Sequence, residues 1–261
     1  MVPATEWPSI MSLPAFVINL DRSTDRWKLI RENLDEIGLK ATRIVAIDGL
    51  CLPDDPSTRL LGAGTVACAL SHYKAMAAFL KCAAPAALIL EDDADVGPSV
   101  PSIIQSLDWW PRGHGLVQLI SEKLAGNRIW LGHSIGLTPD GRTVHPIVYK
   151  RMYGHGYLID RDTAEQVLAI APDVPMPIDH LLFHVVNSQL ARRARPLQVV
   201  PGVVRARPFE QVGSDIQTSG WVKSPRSVWK PGHFVRLNHL LLRVWALVTG
   251  RVQRVHVPFK G

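Results

Sequence analysis

Four carboxylates fall within five residues at Glu91-Asp92-Asp93-Ala94-Asp95. The apolar run Ala86-Ala87-Leu88-Ile89-Leu90 directly precedes them and has the length and composition of a fully buried strand. Unpaired charge is too costly to follow that strand into a core, so the cluster belongs at its carboxyl end, where open α/β sheets bind ligands. Carboxylates this close repel one another unless a cation lies among them. The chemistry indicated is a hard divalent ion, Mg2+ or Mn2+, bridging to phosphate oxygens of a substrate. A solvated acidic turn is the plain alternative.

Other residues carry weaker signals. Asn19-Leu20-Asp21-Arg22 with Arg26 leaves a first apolar strand and enters a helix. The i, i+4 spacing puts Arg22 and Arg26 on one helical face near amide donors that favour anions, so a phosphate fits there. A surface Arg pair with Asp21 and Asp25 as local partners explains the same spacing. Ser71-His72 lies inside an apolar helix, where a histidine needs a partner or a ligand. Adjacent residues on a helix point in different directions, which excludes a serine–histidine hydrolase pair. Asp179 opens a helix in Pro177-Ile178-Asp179-His180, where it either complements the helix dipole or faces a pocket as a general base. The glycines of Tyr153-Gly154-His155-Gly156-Tyr157 allow close approach of a sugar-like ligand or tight strand packing.

The elements that must position these groups read as an alternating series. Residues 15–20 form the first strand. Ser23 caps a helix whose apolar face is Trp27, Ile30, Leu34 and Ile37, ended by Gly38. A second strand follows at 43–47, a loop at 53–57, a buried helix at 65–81 and then the strand leading to the acidic run. This β-α-β-α-β order predicts an α/β fold with a parallel sheet and crossover helices. Further strands are expected at 115–120, 147–149 and 154–159, with helices at 163–170 and from 177 through 183.

Composition excludes several classes. The chain has 261 residues, 47% apolar and 20% charged, enough to bury one large core, so it is not a disordered chain. Cys51, Cys68 and Cys82 are odd in number and lack zinc-ligand spacing, favouring free thiols in a reducing, cytoplasmic compartment. Residues Met1 to Glu6 lack the basic start and apolar stretch of a signal peptide, and no 18-residue apolar run exists, so neither a leader nor a transmembrane helix is expected. The net charge of +6 is uneven: from Ala191 onward 13 Lys and Arg face two acids, Glu210 and Asp215. Leu237, Leu240, Leu241, Val244, Trp245 and Val248 form one stripe of a short helix flanked by Arg236 and Arg243. That helix either packs on the domain or contacts an anionic membrane peripherally, at the inner membrane for a bacterial enzyme. The domain boundaries expected are 14–231 for the main domain and 232–261 for a basic amphipathic C-terminal helical extension.

Taken in order, these segments resemble glycosyltransferase family 25, of the lipooligosaccharide galactosyltransferase type. The resemblance rests on Val17 to Arg22 with Arg26, Ala67 to His72, Leu90 to Asp93, Gly156 to Ile159 and Pro177 to Phe183. Gln211 to Ser219 and the terminal Val257-Pro258-Phe259 also look similar. It departs at Met76, where family members often have Trp, and at Asp160, where Ser is usual. The resemblance implies a GT-A type, Rossmann-like nucleotide-sugar-binding domain with a mixed, mostly parallel sheet, a UDP-sugar donor and a divalent metal, Mn2+ or Mg2+. It places Asp92, Asp93 and Asp95 at the metal, and Asn19, Arg22, Arg26, Ser71, His72, Glu91, Asp92 and Tyr157 at the donor. Asp179 becomes the base beside a glycan or glycolipid acceptor. The expected reaction moves a hexose, galactose by resemblance, to a lipopolysaccharide-type hydroxyl with inversion, and no nucleic acid partner is expected.

Two rivals belong to other classes. A nucleotidyltransferase on a related sheet would carry a Gly-rich loop with Lys after the first strand, where Asn19-Leu20-Asp21-Arg22 stands. A non-catalytic membrane-surface or nucleic-acid adaptor would use the basic C-terminal part. It gains nothing from so much repulsion at one strand end.

Overall fold

The computed structural model describes residues 13–122, 128–170, 176–208 and 251–261. The strands, in chain order, are β1 (Ala15–Asn19), β2 (Thr42–Val45), β3 (Ala86–Glu91), β4 (Ala94–Val96), β5 (Leu116–Gln118), β6 (Ile129–Gly132), β7 (Gly136–Leu137), β8 (Thr143–Pro146), β9 (Gly156–Asp160), β10 (Leu197–Val200), β11 (Val204–Ala206) and β12 (Val252–Val255). The helices are α1 (Thr24–Glu36), α2 (Pro56–Leu61), α3 (Ala63–Leu80), α4 (Val100–Gln105), α5 (Arg161–Ile170), α6 (Ile178–Phe183) and α7 (Gln189–Ala194).

The first half follows the alternation of its sequence. In β1 every residue is buried, because successive side chains feed opposite faces of a sheet that is covered on both sides. Ala15 and Val17 join one core with Leu88 and Leu90 of β3, Ile30 and Leu34 of α1, and Ile103 and Ile104 of α4. Phe16 and Ile18 join the other core with Ala87 and Ile89, Met76 and Phe79 of α3, Val167 of α5, and Leu181 to Phe183 of α6. The strands β2, β1 and β3 are parallel neighbours, as the crossovers require. At Gly38 the chain adopts φ of 70°, a conformation open to glycine at little cost, and α1 ends two residues earlier, at Glu36.

The second half departs from a purely parallel sheet. The main sheet has eight strands in the order β2-β1-β3-β9-β5-β10-β8-β7. Strand β9 runs antiparallel to both neighbours, β3 and β5, and β8 is antiparallel to β10 and β7. The remaining six strands share one direction, so the sheet is mixed. The strand expected at 147–149 lies earlier, at Thr143–Pro146, and Ile147 makes only an isolated bridge. Part of the loop expected at 53–57 is helix: the Asp55 side chain accepts from the Ser57 and Thr58 amides with Pro56 in the first turn, a capping box that outweighs the loop signal of Pro and Asp.

Of the segment 232–261, residues 251–261 close onto the main body. Strand β12 pairs antiparallel with β6, Val257 is fully buried, and Arg205 lies 4.5 Å over the Phe259 ring. The stripe from Leu237 to Val248 and the Gln211–Ser219 segment lie outside the described residues. Among the described residues, no helix is long and apolar enough to cross a membrane.

Gly202 ties the chain end to the sheet. Its amide donates to the Pro258 carbonyl and its carbonyl accepts from the Lys260 amide. A Cβ at this position would stand 2.5 Å from the Ser121 nitrogen and 2.8 Å from the Ile120 carbonyl carbon, both backbone atoms that cannot rotate away. Gly202→Ala is expected to destabilise the protein by about 1–3 kcal/mol, as overpacking does. A lowered urea midpoint with an unchanged slope checks this; an unchanged midpoint contradicts it.

Candidate functional site

The carboxyl end of β3 meets the amino end of β9. The antiparallel register pairs Leu90 with Gly156, and the Glu91 amide donates to the His155 carbonyl at 3.0 Å. His155 is thereby held against the acidic turn. Its Nδ1 lies 3.4 Å from Glu91 Oε2 and 3.2 Å from Asp93 Oδ1. On the other side of Glu91, His72 Nε2 lies 3.4 Å from Oε1. His72 is carried by α3 and lies wholly inside the protein, its Nδ1 2.9 Å from the Tyr157 hydroxyl and its ring stacked on the Tyr157 ring.

The four acids have separate roles. Asp92 is buried, and both of its oxygens are taken: Oδ1 by Arg26 at 2.7 Å and Oδ2 by the Asn19 amide at 2.7 Å. Asn19 in turn donates to the Ser23 carbonyl and accepts from Arg43 at 2.8 and 2.6 Å. Asp92 and Asn19 thus brace β1, β2 and the turn. Asp95 sits on β4, two residues beyond the turn, and its carboxylate pairs with Arg205 at 2.6 Å and Arg207 at 3.7 Å. The structure therefore brings Asp93 together with Glu91 and His155, and does not bring Asp92 or Asp95 to the same point.

Several other residues expected at the site are engaged elsewhere. Arg22 lies in the turn before α1, so the i, i+4 relation to Arg26 does not hold; it pairs with Asp48 at 2.5 Å. Ser71 donates to the Ala67 carbonyl and accepts from the Ile47 amide, a bond that fastens the segment after β2 to α3. Tyr157 is fully buried and reaches the site through His72. Asp179 is half-buried at the start of α6; Oδ2 accepts from the Tyr153 amide at 3.1 Å and Oδ1 from the His180 amide at 2.9 Å.

The loop that carries Tyr153 to His155 rests on a polar group inside the core. Arg151 is buried, forms an ion pair with Glu122, and donates to Gln118 at 2.6 Å, Gln198 at 2.8 Å and the Ile120 carbonyl at 2.9 Å. Gln118 donates to the Met152 and Tyr153 carbonyls. Tyr153 is held at φ of 77°, and Gly154 follows so closely that a Cβ there would stand 3.0 Å from Glu91 Oε1. Burial lowers the Arg151 pKa to about 10, which leaves it cationic at neutral pH.

The electrostatics show how the acids coexist. Burial disfavours an imidazolium, yet Asp93 and Glu91 outweigh it and push the His155 pKa up to about 10. Burial raises the Glu91 carboxyl as well, but His155 and His72 hold it well below the usual carboxylate range. Burial pushes Asp92 up to about 7 against the pull of Arg26 and Asn19, with Asp93 and Glu91 adding to the rise. A protonated His155 and a divalent cation are alternative answers to one repulsion, since a metal ligand must give up its proton.

The residues fit a divalent metal. Glu91, Asp93 and His155 each offer a ligand atom, all within 4.8 Å of one another. The nitrogen–oxygen edges of 3.2 and 3.4 Å approach the roughly 3 Å edge of an octahedron with bonds of about 2.1 Å. Asp93 Oδ1 and His155 Nε2 are buried without a hydrogen-bond partner. A ligand set of two carboxylates and one imidazole suits Mn2+ or Mg2+. His155 is the residue that sequence reasoning missed: the glycines on either side of it drew the attention, and only the strand's direction sets it beside Glu91.

With this geometry in place, similarity to known proteins can be set beside it. Residues 12–123, less than half of the chain, match the family model of glycosyltransferase family 25 (LPS biosynthesis protein). Over that span the chain is similar to the family 25 glycosyltransferases. The matched span carries β1, α3 and the acidic turn, and ends before His155 and Asp179. No curated protein matches the chain. Among solved structures it is similar to a glycosyltransferase involved in the glycosylation of the major capsid of PBCV-1, at 11% identity and a TM-score of 0.44, covering 75% of this chain and 92% of that one. It is also similar to the inositol-1-phosphate CTP transferase from T. maritima, at 11% identity and a TM-score of 0.36, covering 80% and 95%.

The different roles of the acids are separable by stability. Asp92→Ala leaves Arg26 and the Asn19 amide facing each other inside the protein and should cost about 3 kcal/mol, the lower end for a broken buried pair, because Arg26 keeps Asp93 at 3.9 Å. Asp95→Ala breaks a pair at the surface and should cost about 0–1 kcal/mol. Urea unfolding of the two variants checks the order; equal midpoints would contradict it.

Proposed function

We propose that this protein is a family 25 type glycosyltransferase that moves a hexose, galactose by resemblance, from a UDP-sugar to a hydroxyl of a lipopolysaccharide, lipooligosaccharide or related glycan acceptor, with inversion at the anomeric carbon. The observation that carries this reading is the buried meeting of Glu91, Asp93 and His155 at the strand end, with ligand-capable atoms lacking hydrogen-bond partners. A divalent cation held there would neutralise the diphosphate as the bond from the anomeric carbon to the leaving oxygen breaks. Arg26 and Arg22, at the entry to α1, supply positive charge on the β1 side, where the donor diphosphate would lie. Asn19 and Asp92 serve by fixing the turn.

The acceptor side rests on Asp179. Two backbone amides fix the direction of its carboxylate, and the remaining lone pairs are available to take a proton from the acceptor hydroxyl as it attacks. An oxocarbenium-like transition state needs one such base in a single displacement. Ser71, His72 and Tyr157 support the site from behind: Ser71 holds the segment after β2, and Tyr157 orients the His72 ring beside Glu91. The proposed setting is cytoplasmic, with the apolar stripe of 237–248 and its flanking Arg236 and Arg243 as a peripheral contact to anionic lipid. In a flotation assay, Arg236→Glu combined with Arg243→Glu should release the protein from anionic vesicles; equal flotation of the variant excludes that contact.

The transfer reading is tested with the full chain, a panel of UDP-sugars, and Mn2+ or a chelator. Turnover should need the divalent ion. Asp93→Asn and Glu91→Gln should abolish Mn2+ binding by calorimetry, and Asp95→Asn should keep it. Asp179→Asn should lower kcat by about 10²–10⁴-fold while UDP affinity stays within a few-fold. Chelator-resistant transfer, or full activity in Asp93→Asn, overturns the metal assignment; full activity in Asp179→Asn removes it as the base.

A further inference from the structure

Glu91 presents a second oxygen away from His155, and that oxygen faces a different set of donors. Cys68 and His72 are four residues apart on α3 and therefore share one face of the helix. Cys68, His72 and Glu91 each offer a ligand atom, all within 4.8 Å of one another. The His72 side chain is 1% exposed, and its Nε2 is buried with no hydrogen-bond partner, 3.4 Å from Glu91 Oε1. We propose that Cys68, His72 and Glu91 form a second cation site, of Zn2+ type, adjoining the hard-ion site through the shared Glu91 carboxylate, and that a cation there withdraws Glu91 from Asp93 and His155.

The donor types select the metal. A thiolate with an imidazole and one carboxylate favours Zn2+ over Mg2+ or Mn2+, which prefer oxygen. In a tetrahedral site with bonds of about 2.0–2.2 Å, a nitrogen and an oxygen ligand stand about 3.4 Å apart, the separation already present between His72 and Glu91. Three protein ligands leave the fourth position to water or to an incoming anion.

The surroundings complete the chemistry. The His72 Nδ1 and the Tyr157 hydroxyl are 2.9 Å apart, so with Nδ1 protonated and donating to the Tyr157 oxygen, the Nε2 lone pair points at the cation. Burial, and the negative charges of Glu91, Asp179 and Asp93, raise the Cys68 thiol well above its ordinary value, and the same field attracts a divalent cation. On binding, the Cys68 S–H bond breaks, its proton leaves to solvent, and the sulfur electron pair goes to the metal.

Co2+ in place of Zn2+ tests the site on the full chain, because a thiolate ligand gives a thiolate-to-cobalt charge-transfer band in the near ultraviolet. The band should appear in the parent protein, be removed by added Zn2+, be lost in Cys68→Ser, and persist in Cys51→Ser and Cys82→Ser. Tyr157→Phe should weaken Co2+ binding by about 10-fold, the effect of losing an outer partner of a ligating histidine. Added Zn2+ should release bound Mn2+, read by the free-ion electron paramagnetic resonance signal, in the parent but not in Cys68→Ser. No band, or a band that survives Cys68→Ser, overturns the proposal. These readouts are independent of turnover, so the site stands or falls apart from the transfer reaction.

Discussion

The reversed direction of β9 beside β3 is the constraint on which the site depends. The register of Leu90 with Gly156 sets His155 next to Glu91, so an imidazole arrives where two carboxylates are forced together. Were β9 parallel to β3, its first residues would lie at the opposite end of the sheet, about 17 Å away over five residues. Glu91 and Asp93 would then lose the imidazole between them, and Arg26, 3.9 Å from Asp93, would be the remaining cation on that side. The antiparallel pairing therefore decides whether the turn after β3 is a tolerable arrangement or a destabilising one.

Around that meeting point the fold distributes charge by burial. Asp92, deepest in the turn, has Arg26 and Asn19 on its two oxygens and links the first three strands. Glu91 and Asp93 face His155, and Asp95 is drawn to Arg205 by the pairing of β4 with β11. Acids close in sequence thus differ in function because the backbone leaves one strand at Glu91 and begins another at Ala94. Asp179 lies on α6, fixed by the Tyr153 amide, with its own hydrogen bonds and not those of the turn, so the proposed metal and the proposed base would not compete for partners.

The loop from Arg151 to His155 shows how an interior polar group can serve a site. Its carbonyls and amides are bonded to Gln118, Phe183 and Asp179, and Arg151 reaches Gln118, Gln198 and Glu122 within the sheet. Such a group is costly to bury unless all of its hydrogen bonds are met, and when they are met it holds one conformation. Here that conformation includes Tyr153 at positive φ, which turns the chain so that Gly154 passes close to Glu91 and His72.

Much of this was legible in the residues themselves. The apolar run before Glu91, the helical face of Ile30 and Leu34, and the glycine stop at Gly38 fixed β3 and α1, because burial on both faces and local backbone preference act over short stretches. The acidic run also announced a place where charge must be answered. Sequence could not say which acids would answer it, since Asp92, Asp93 and Asp95 differ only in what β1, β9 and β11 bring to them. The interior network of Arg151 with Gln118 and Gln198 emerged only where the chain packed, because its members come from segments far apart in sequence. By itself the sequence determined the strand, the turn and their charge, which are local; the tertiary structure decided strand direction and hence His155, because pairing between distant segments depends on the packing of the whole sheet.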